Sequence, residues 1–238
     1  MRAGLALLAV LGAAGCAGVT GPPAPVRPTV LVYGDSVVRE SFPMLAFELN
    51  AVLPGYQAVD NSFPGTALCD WLPNMAGPDN RPGVRLVILA YSGNDQTPCV
   101  DGHDYTTTWF LSYETALSEW TTRGVHVIVV GGPGPVGTTP TTPDLSTTHR
   151  QIAEGVASQY PARYVDASTP FLDGTGTYAS ALPCLPGGEP TCQPNGLVQV
   201  RAPDGVHLCD ELVIPCPGYS SGVFRWARQI AAGAIGDG

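Results

Sequence analysis

Short, continuous apolar runs punctuate the chain. Val30, Leu31 and Val32 lead into Tyr33 and stop at Gly34. A stronger run fills residues 84–91, and another fills 125–130 and stops at Gly131-Gly132-Pro133. Runs of this length, rich in Val, Ile and Leu and closed by turn residues, predict buried strands. Strands are expected at residues 29–33, 56–60, 84–91, 125–130 and 163–166. Between them the apolar spacing changes to three and four. Val38, Phe42, Leu45, Ala46 and Leu49 form one such stripe over residues 37–50, although Pro43 falls inside it and could mark a later start of regular helix. Further helices are predicted at 108–122 and at 144–160, the latter with Asp144 as its cap. A last one starts near Ser220 or Ser221 and carries Val223, Trp226, Ala227, Ile230 and Ala231. Residues 61–82 and 169–203 read as long loops. Strands alternating with helices predict a parallel sheet covered on both faces, a three-layer α/β/α sandwich. No internal repeat or second domain is visible.

Composition narrows the partners. The chain has 238 residues, enough for one such domain, and a formal net charge of −9. All 11 basic residues other than His are Arg, and they form no basic patch, so nucleic acid is not an expected partner.

The first residues do not belong to the fold. Arg2 precedes an apolar segment, Leu5 to Leu11, that is too short to span a bilayer. Ala13-Ala14-Gly15-Cys16 follows. Residues 1–16 therefore read as an export signal with a lipobox-like end, in which Cys16 becomes the lipidated first residue. Ala13 stands where such boxes most often have Leu, and an ordinary signal peptide that removes Cys16 is the alternative. Residues 17–28, with Pro22, Pro23, Pro25 and Pro28, read as a stiff tether, and residues 29–238 as the domain. The expected location is the cell envelope, anchored by lipid or otherwise secreted, with no other membrane contact. Without Cys16, six of the seven cysteines remain, an even set that in an exported chain implies disulfides. The sequential pairing 69–99, 184–192, 209–216 is the simplest of the 15 possible for six cysteines. No close Cys/His spacing supports a metal instead.

The candidate chemistry starts where the first strand ends. Gly34-Asp35-Ser36 is a strand, sharp turn and helix start, which exposes a side chain at the carboxyl edge of a parallel sheet. Ser36 is the candidate nucleophile. Asp204-Gly205-Val206-His207 supplies a candidate base and a carboxylate three residues before it, with Gly205 permitting a tight bend. Such a carboxylate can hydrogen-bond Nδ1 of the imidazole and leave Nε2 facing the serine.

Together these residues resemble the GDSL/SGNH hydrolase superfamily. Gly34-Asp35-Ser36 matches its first block, Gly65 its second, Asn94-Asp95 its third, and Asp204 to His207 its last. The matches occur in family order and span nearly all of the domain. The resemblance implies a flavodoxin-like five-stranded sheet in the order 2-1-3-4-5, and a triad of Ser36, His207 and Asp204. It also implies an oxyanion hole from the backbone N–H groups of Ser36 and Gly65 and the side-chain amide of Asn94. No metal or cofactor is implied. One residue departs from the pattern: Ser92 stands where the third block usually begins with glycine. In that strand order the loops after strands two and three meet over Ser36, so a Cys69–Cys99 bridge would tie the two loops that supply oxyanion donors. Cys184–Cys192 would close the long loop, and Cys209–Cys216 would clip the loop that presents His207.

Other polar residues receive structural readings. Asp35 and Asp95 are expected to brace their turns, Asp166 to be structural, and His126 to be half-buried in its strand. Asp101, His103 and Asp104 could reach a metal but read as a solvated loop. Trp71 and Trp109 fit either a substrate groove or the core. The expected protein is a monomeric serine esterase acting on O-acyl groups of envelope glycans or on small acyl esters. An O-acyltransferase using the same triad and a catalytically silent envelope-binding lipoprotein are the alternatives.

Overall fold

A computed structural model describes residues 26–189, 191–208 and 220–235. The signal segment with Cys16, most of the tether, and Cys209 and Cys216 lie outside the described residues. Five parallel strands form the central sheet: β1 (Thr29–Gly34), β2 (Gln57–Ser62), β3 (Val84–Tyr91), β4 (His126–Gly131) and β5 (Arg163–Asp166). Their spatial order is β2-β1-β3-β4-β5, the flavodoxin-like order that the family resemblance implies.

The continuous apolar runs are explained by burial on both faces. Val30 and Val32 of β1, with Ile88, Ala90, Ile128 and Val130, point to one face. Helices α1 (Ser36–Val52) and α5 (Ser221–Ala234) cover it through Leu45, Leu49, Trp226 and Ile230. Leu31 and Tyr33, with Val87, Leu89, Val127 and Val129, point to the other face. Helices α2 (Leu68–Ala76), α3 (Tyr105–Thr121) and α4 (Leu145–Ala157) cover that side with Leu68, Trp109, Leu117 and Val156. Trp109 is thus a core residue.

Three expectations need correction. First, α1 starts at Ser36 and runs through Pro43, which is exposed. A proline inside a helix costs about 3 kcal/mol. Burying Val38, Met44, Leu45 and Leu49 along the same helix, at roughly 1.5–3 kcal/mol each, outweighs it. Second, the expected loop 61–82 contains α2. Pro73 and a run of weak helix formers mask it in the sequence, but Asp70 Oδ2 accepts the Ala67 N–H at 2.8 Å, and Leu68 and Met75 are buried. Third, the 169–203 excursion holds a single 3₁₀ turn (Thr169–Phe171) and an antiparallel pair, β6 (Ala181–Pro183) with β7 (Leu197–Gln199). A buried Arg225–Glu189 ion pair and the Cys184–Cys192 disulfide hold that segment down.

Asp144 caps α4 and Ser220 caps α5, each accepting a backbone N–H. His126, at the start of β4, is exposed rather than half-buried, because the strand begins at the solvent edge of the sheet.

Candidate active site

Gly34 ends β1 in a space that admits no side chain. A Cβ there would lie 2.0 Å from Val38 Cγ2 and 2.5 Å from the Ala90 carbonyl oxygen. The close approach lets Asp35 cap α1, its Oδ1 accepting the Val37 N–H at 3.0 Å. Oδ2 of Asp35 accepts both the backbone N–H and the hydroxyl of Ser92, each at 2.6 Å. Asp35 is fully buried. Burial holds its carboxyl above the ordinary value, and the Ser92 and Val37 bonds offset only part of that rise. Asp35 therefore joins the turn after β1 to the turn after β3. Ser92, the residue that departs from the family pattern, supplies two of the donors. Asp95 is exposed and accepts no hydrogen bond from the described residues, so it does not brace its turn.

Ser36 follows as the first residue of α1. Its hydroxyl oxygen lies 3.0 Å from Nε2 of His207, and Nδ1 of His207 lies 2.6 Å from Oδ2 of Asp204. The other Asp204 oxygen accepts the backbone N–H groups of Val206 at 2.8 Å and His207 at 3.0 Å, which wraps the loop around the carboxylate. Gly205 makes that wrap with φ of 72°. Partial burial pushes the Asp204 carboxyl up, but the His207 ring and the two loop N–H groups outweigh it and hold the group below its ordinary value. The His207 and Asp204 side chains are 34% and 35% exposed, so water reaches both.

Gly65 stands in the loop after β2, with φ of 76°. Phe63 N–H donates to the Gly34 carbonyl at 3.1 Å, which brings this loop against the nucleophile turn. Asn94 Nδ2 donates to the Thr66 carbonyl at 2.9 Å and approaches Asp35 Oδ2 at 3.4 Å. The backbone N–H groups of Ser36 and Gly65 have no acceptor among the described residues. Cys69, near the start of α2, is bridged to Cys99 in the loop after β3, with their Cα atoms 6.1 Å apart. That disulfide joins the Gly65 and Asn94 loops covalently.

Two residues at the site were not singled out from the sequence. Glu40 of α1 accepts the Leu208 N–H at 2.8 Å, directly after His207. Arg201 donates to the Val206 carbonyl and, at 2.7 Å, to the Gly134 carbonyl. A glutamate on the buried stripe of α1, four residues after the candidate nucleophile, was a readable signal. Arg201 lay in a segment with no periodicity to flag it.

A narrow cavity of about 20 Å³ is lined by Val37 and Val206, the chain neighbours of Ser36 and His207, together with Ala90, Ser92, Val130 and Trp226. Its walls are mostly apolar. Asp104 caps α3, and Asp166 accepts bonds from Ser168 and Thr169 in its own turn. Among the described residues no group of three or more His, Cys, Asp or Glu side chains is placed to hold a metal ion.

Solved structures with the same architecture include esterases. The acetylxylan esterase Axe2 from Geobacillus stearothermophilus superposes with a TM-score of 0.61 at 17% identity, over 89% of this chain and 95% of its own. A catalytic mutant of Axe2 gives 0.62 at 16% identity, over 88% and 94%. An acylhydrolase candidate from Bacteroides fragilis gives 0.55 at 15% identity, over 88% and 89%. The fold is that of the SGNH hydrolases. No protein-family model and no curated protein sequence matches the chain. Within the SGNH fold, the four sequence blocks converge at the carboxyl edge of β1, β2 and β3, where open α/β sheets bind ligands.

Proposed function

We propose that the protein is a serine esterase that hydrolyses carboxylic esters through an acyl-enzyme. The carrying observation is the continuous chain of hydrogen bonds from Ser36 Oγ through His207 to Asp204. In this reading Ser36 Oγ attacks the ester carbonyl carbon while its proton passes to Nε2 of His207. The tetrahedral oxyanion accepts hydrogen bonds from the backbone N–H groups of Ser36 and Gly65 and from the Asn94 amide. The carbon–oxygen bond to the alcohol then breaks, and His207 returns the proton to the leaving oxygen. Water, deprotonated by His207, attacks the acyl-Ser36 carbonyl; the bond to Ser36 Oγ breaks, His207 returns the proton to Oγ, and the acid leaves. Asp204 keeps Nδ1 protonated and supports the imidazolium in both steps.

The openness of His207 and Asp204 to solvent favours water over another alcohol as acceptor, hence hydrolysis over acyl transfer. If the acyl group enters the cavity lined by Val37 and Val206, which holds on the order of one water or methyl group, a short acyl group such as acetyl fits best. O-acylated envelope glycans and small acyl esters are the substrate classes we assign. Two disulfides suit an oxidising compartment, and no described helix is long and apolar enough to cross a membrane. We assign export, with an N-terminal lipid anchor at Cys16, on the sequence of residues 1–16. Hydrolysis of p-nitrophenyl acetate by the purified protein, with a Ser36→Ala control, tests the reading. Equal activity in that variant contradicts it.

A further inference from the structure

We propose that Glu40 is a positioning residue, a buried carboxylate on the helix of Ser36 that fixes the loop of His207 in register with the nucleophile. The inference rests on the esterase reading of Ser36 and His207.

Helix α1 places Glu40 four residues, about one turn, beyond Ser36, so both occupy one side of the helix. Glu40 is only 7% exposed. A buried carboxylate normally sits opposite a cation, yet among the described residues Glu40 forms no ion pair. Its partner is the Leu208 backbone N–H, 2.8 Å away. Leu208 follows His207 directly, and the His207 carbonyl itself accepts the Ala202 N–H at 2.8 Å. The base is thus held within its own loop by Asp204 and Ala202, and the backbone beside it is tied to the nucleophile helix by Glu40. Apart from Ser36 Oγ on the His207 ring, no other described side chain of α1 bonds this loop, and Glu40 is the one that holds its backbone.

Charge adds a second effect. The ionisable groups that act on Glu40 are Asp35 from the start of its own helix, Asp204 and His207 from the terminal loop, and Arg201 from the segment after β7. Burial pushes the Glu40 carboxyl up to about 7, further raised by Asp35 and Asp204 and opposed by the Leu208 N–H and by His207. The raised value means that the folded state holds this proton more tightly than the unfolded state. Glu40 therefore costs stability progressively as pH rises from its ordinary 4.5 to about 7. Above that range the ionised side chain places negative charge beside the imidazolium that forms on His207 during catalysis.

The test separates shape from charge. Glu40→Gln keeps an oxygen that accepts from Leu208 and removes the charge. Glu40→Ala removes both. Each variant is assayed on p-nitrophenyl acetate from pH 5.5 to 9 beside its thermal midpoint, with Ser36→Ala as control. At pH 8 we expect Glu40→Gln to melt higher than wild type, and its kcat to fall by about tenfold with KM unchanged, because a charge-assisted hydrogen bond is roughly twice as strong as a neutral one. Glu40→Ala should lose about 10²-fold in kcat, the scale of a misplaced general base. A purely structural role predicts a changed melting temperature with kcat unmoved. Folded Glu40→Gln with kcat within twofold of wild type at every pH overturns the proposal, whether or not Glu40→Ala folds. Activity surviving in Ser36→Ala instead overturns the esterase reading and leaves the Glu40 measurements to be judged by themselves.

Discussion

His207 Nε2 lies 3.0 Å from Ser36 Oγ although 171 positions separate the two residues in the chain. Neither residue reaches the other by local geometry. Ser36 is set by a glycine-tight turn at the end of β1, and His207 by a loop wrapped on the Asp204 carboxylate. The Glu40–Leu208 bond joins the two settings, and the Arg201 guanidinium fastens the His207 loop to the Gly134 carbonyl. The proposed chemistry depends on how firmly each of these is held.

Asp204 is the first test of that firmness. Asp204→Asn leaves the loop able to accept the Val206 and His207 N–H groups but no longer dictates the tautomer of His207. We expect kcat to fall by about 10²–10⁴-fold with little change in KM. Because the folded carboxyl titrates below its ordinary 3.8, its stabilising effect is fully present above that pH and is lost as pH falls through the lowered value. Steady-state kinetics and acid-unfolding curves of the variant check both statements.

Asn94 tests the oxyanion site. Removing its amide in Asn94→Ala should lower kcat by about 10²–10³-fold, the usual scale for one lost oxyanion donor. The thermal midpoint should move little, since the amide's one strong bond is to the Thr66 carbonyl in a surface loop. A kcat equal to wild type would remove Asn94 from the mechanism.

The Cys69–Cys99 disulfide closes a 30-residue separation between the two loops that carry Gly65 and Asn94. Its loss in the Cys69→Ser, Cys99→Ser double variant should cost about 2–4 kcal/mol of stability. Activity should fall further than the unfolded fraction explains. Denaturant titration and assays at matched folded fractions separate the two effects.

Acyl length tests whether the cavity lined by Val37 and Val206 receives the acyl group. Val37, Val206 and Trp226 leave room for about 20 Å³. Hydrolysis of p-nitrophenyl esters should therefore be fastest for acetate, slower for butyrate and slowest for hexanoate, read as kcat/KM. A rise with chain length would place the acyl group elsewhere.

Much of this arrangement is legible in the sequence, for physical reasons. β3 shows its limits because a long apolar run meets clear turn residues, and Asp144 and Ser220 mark helix starts through their capping chemistry. Ser36, Gly65, Asn94, Asp204 and His207 stand out because each requires a specific residue at a strand end or tight turn. α2 is hidden, since its stability comes from the burial of Leu68 and Met75 and from one capping bond rather than from helix propensity. The continuity of α1 through Pro43 is equally a tertiary effect. Glu40 acts on a partner 168 positions away, and Arg201 joins the nearby Val206 carbonyl to that of Gly134, 67 positions away, so no local window gives either tie.

The most direct measurement is labelling of the purified protein with a fluorophosphonate, beside its rate on p-nitrophenyl acetate. The account predicts one label per chain on Ser36, with hydrolysis lost in step with labelling and both absent in Ser36→Ala. A label on another residue, or acetate hydrolysis undiminished by Ser36→Ala, contradicts it.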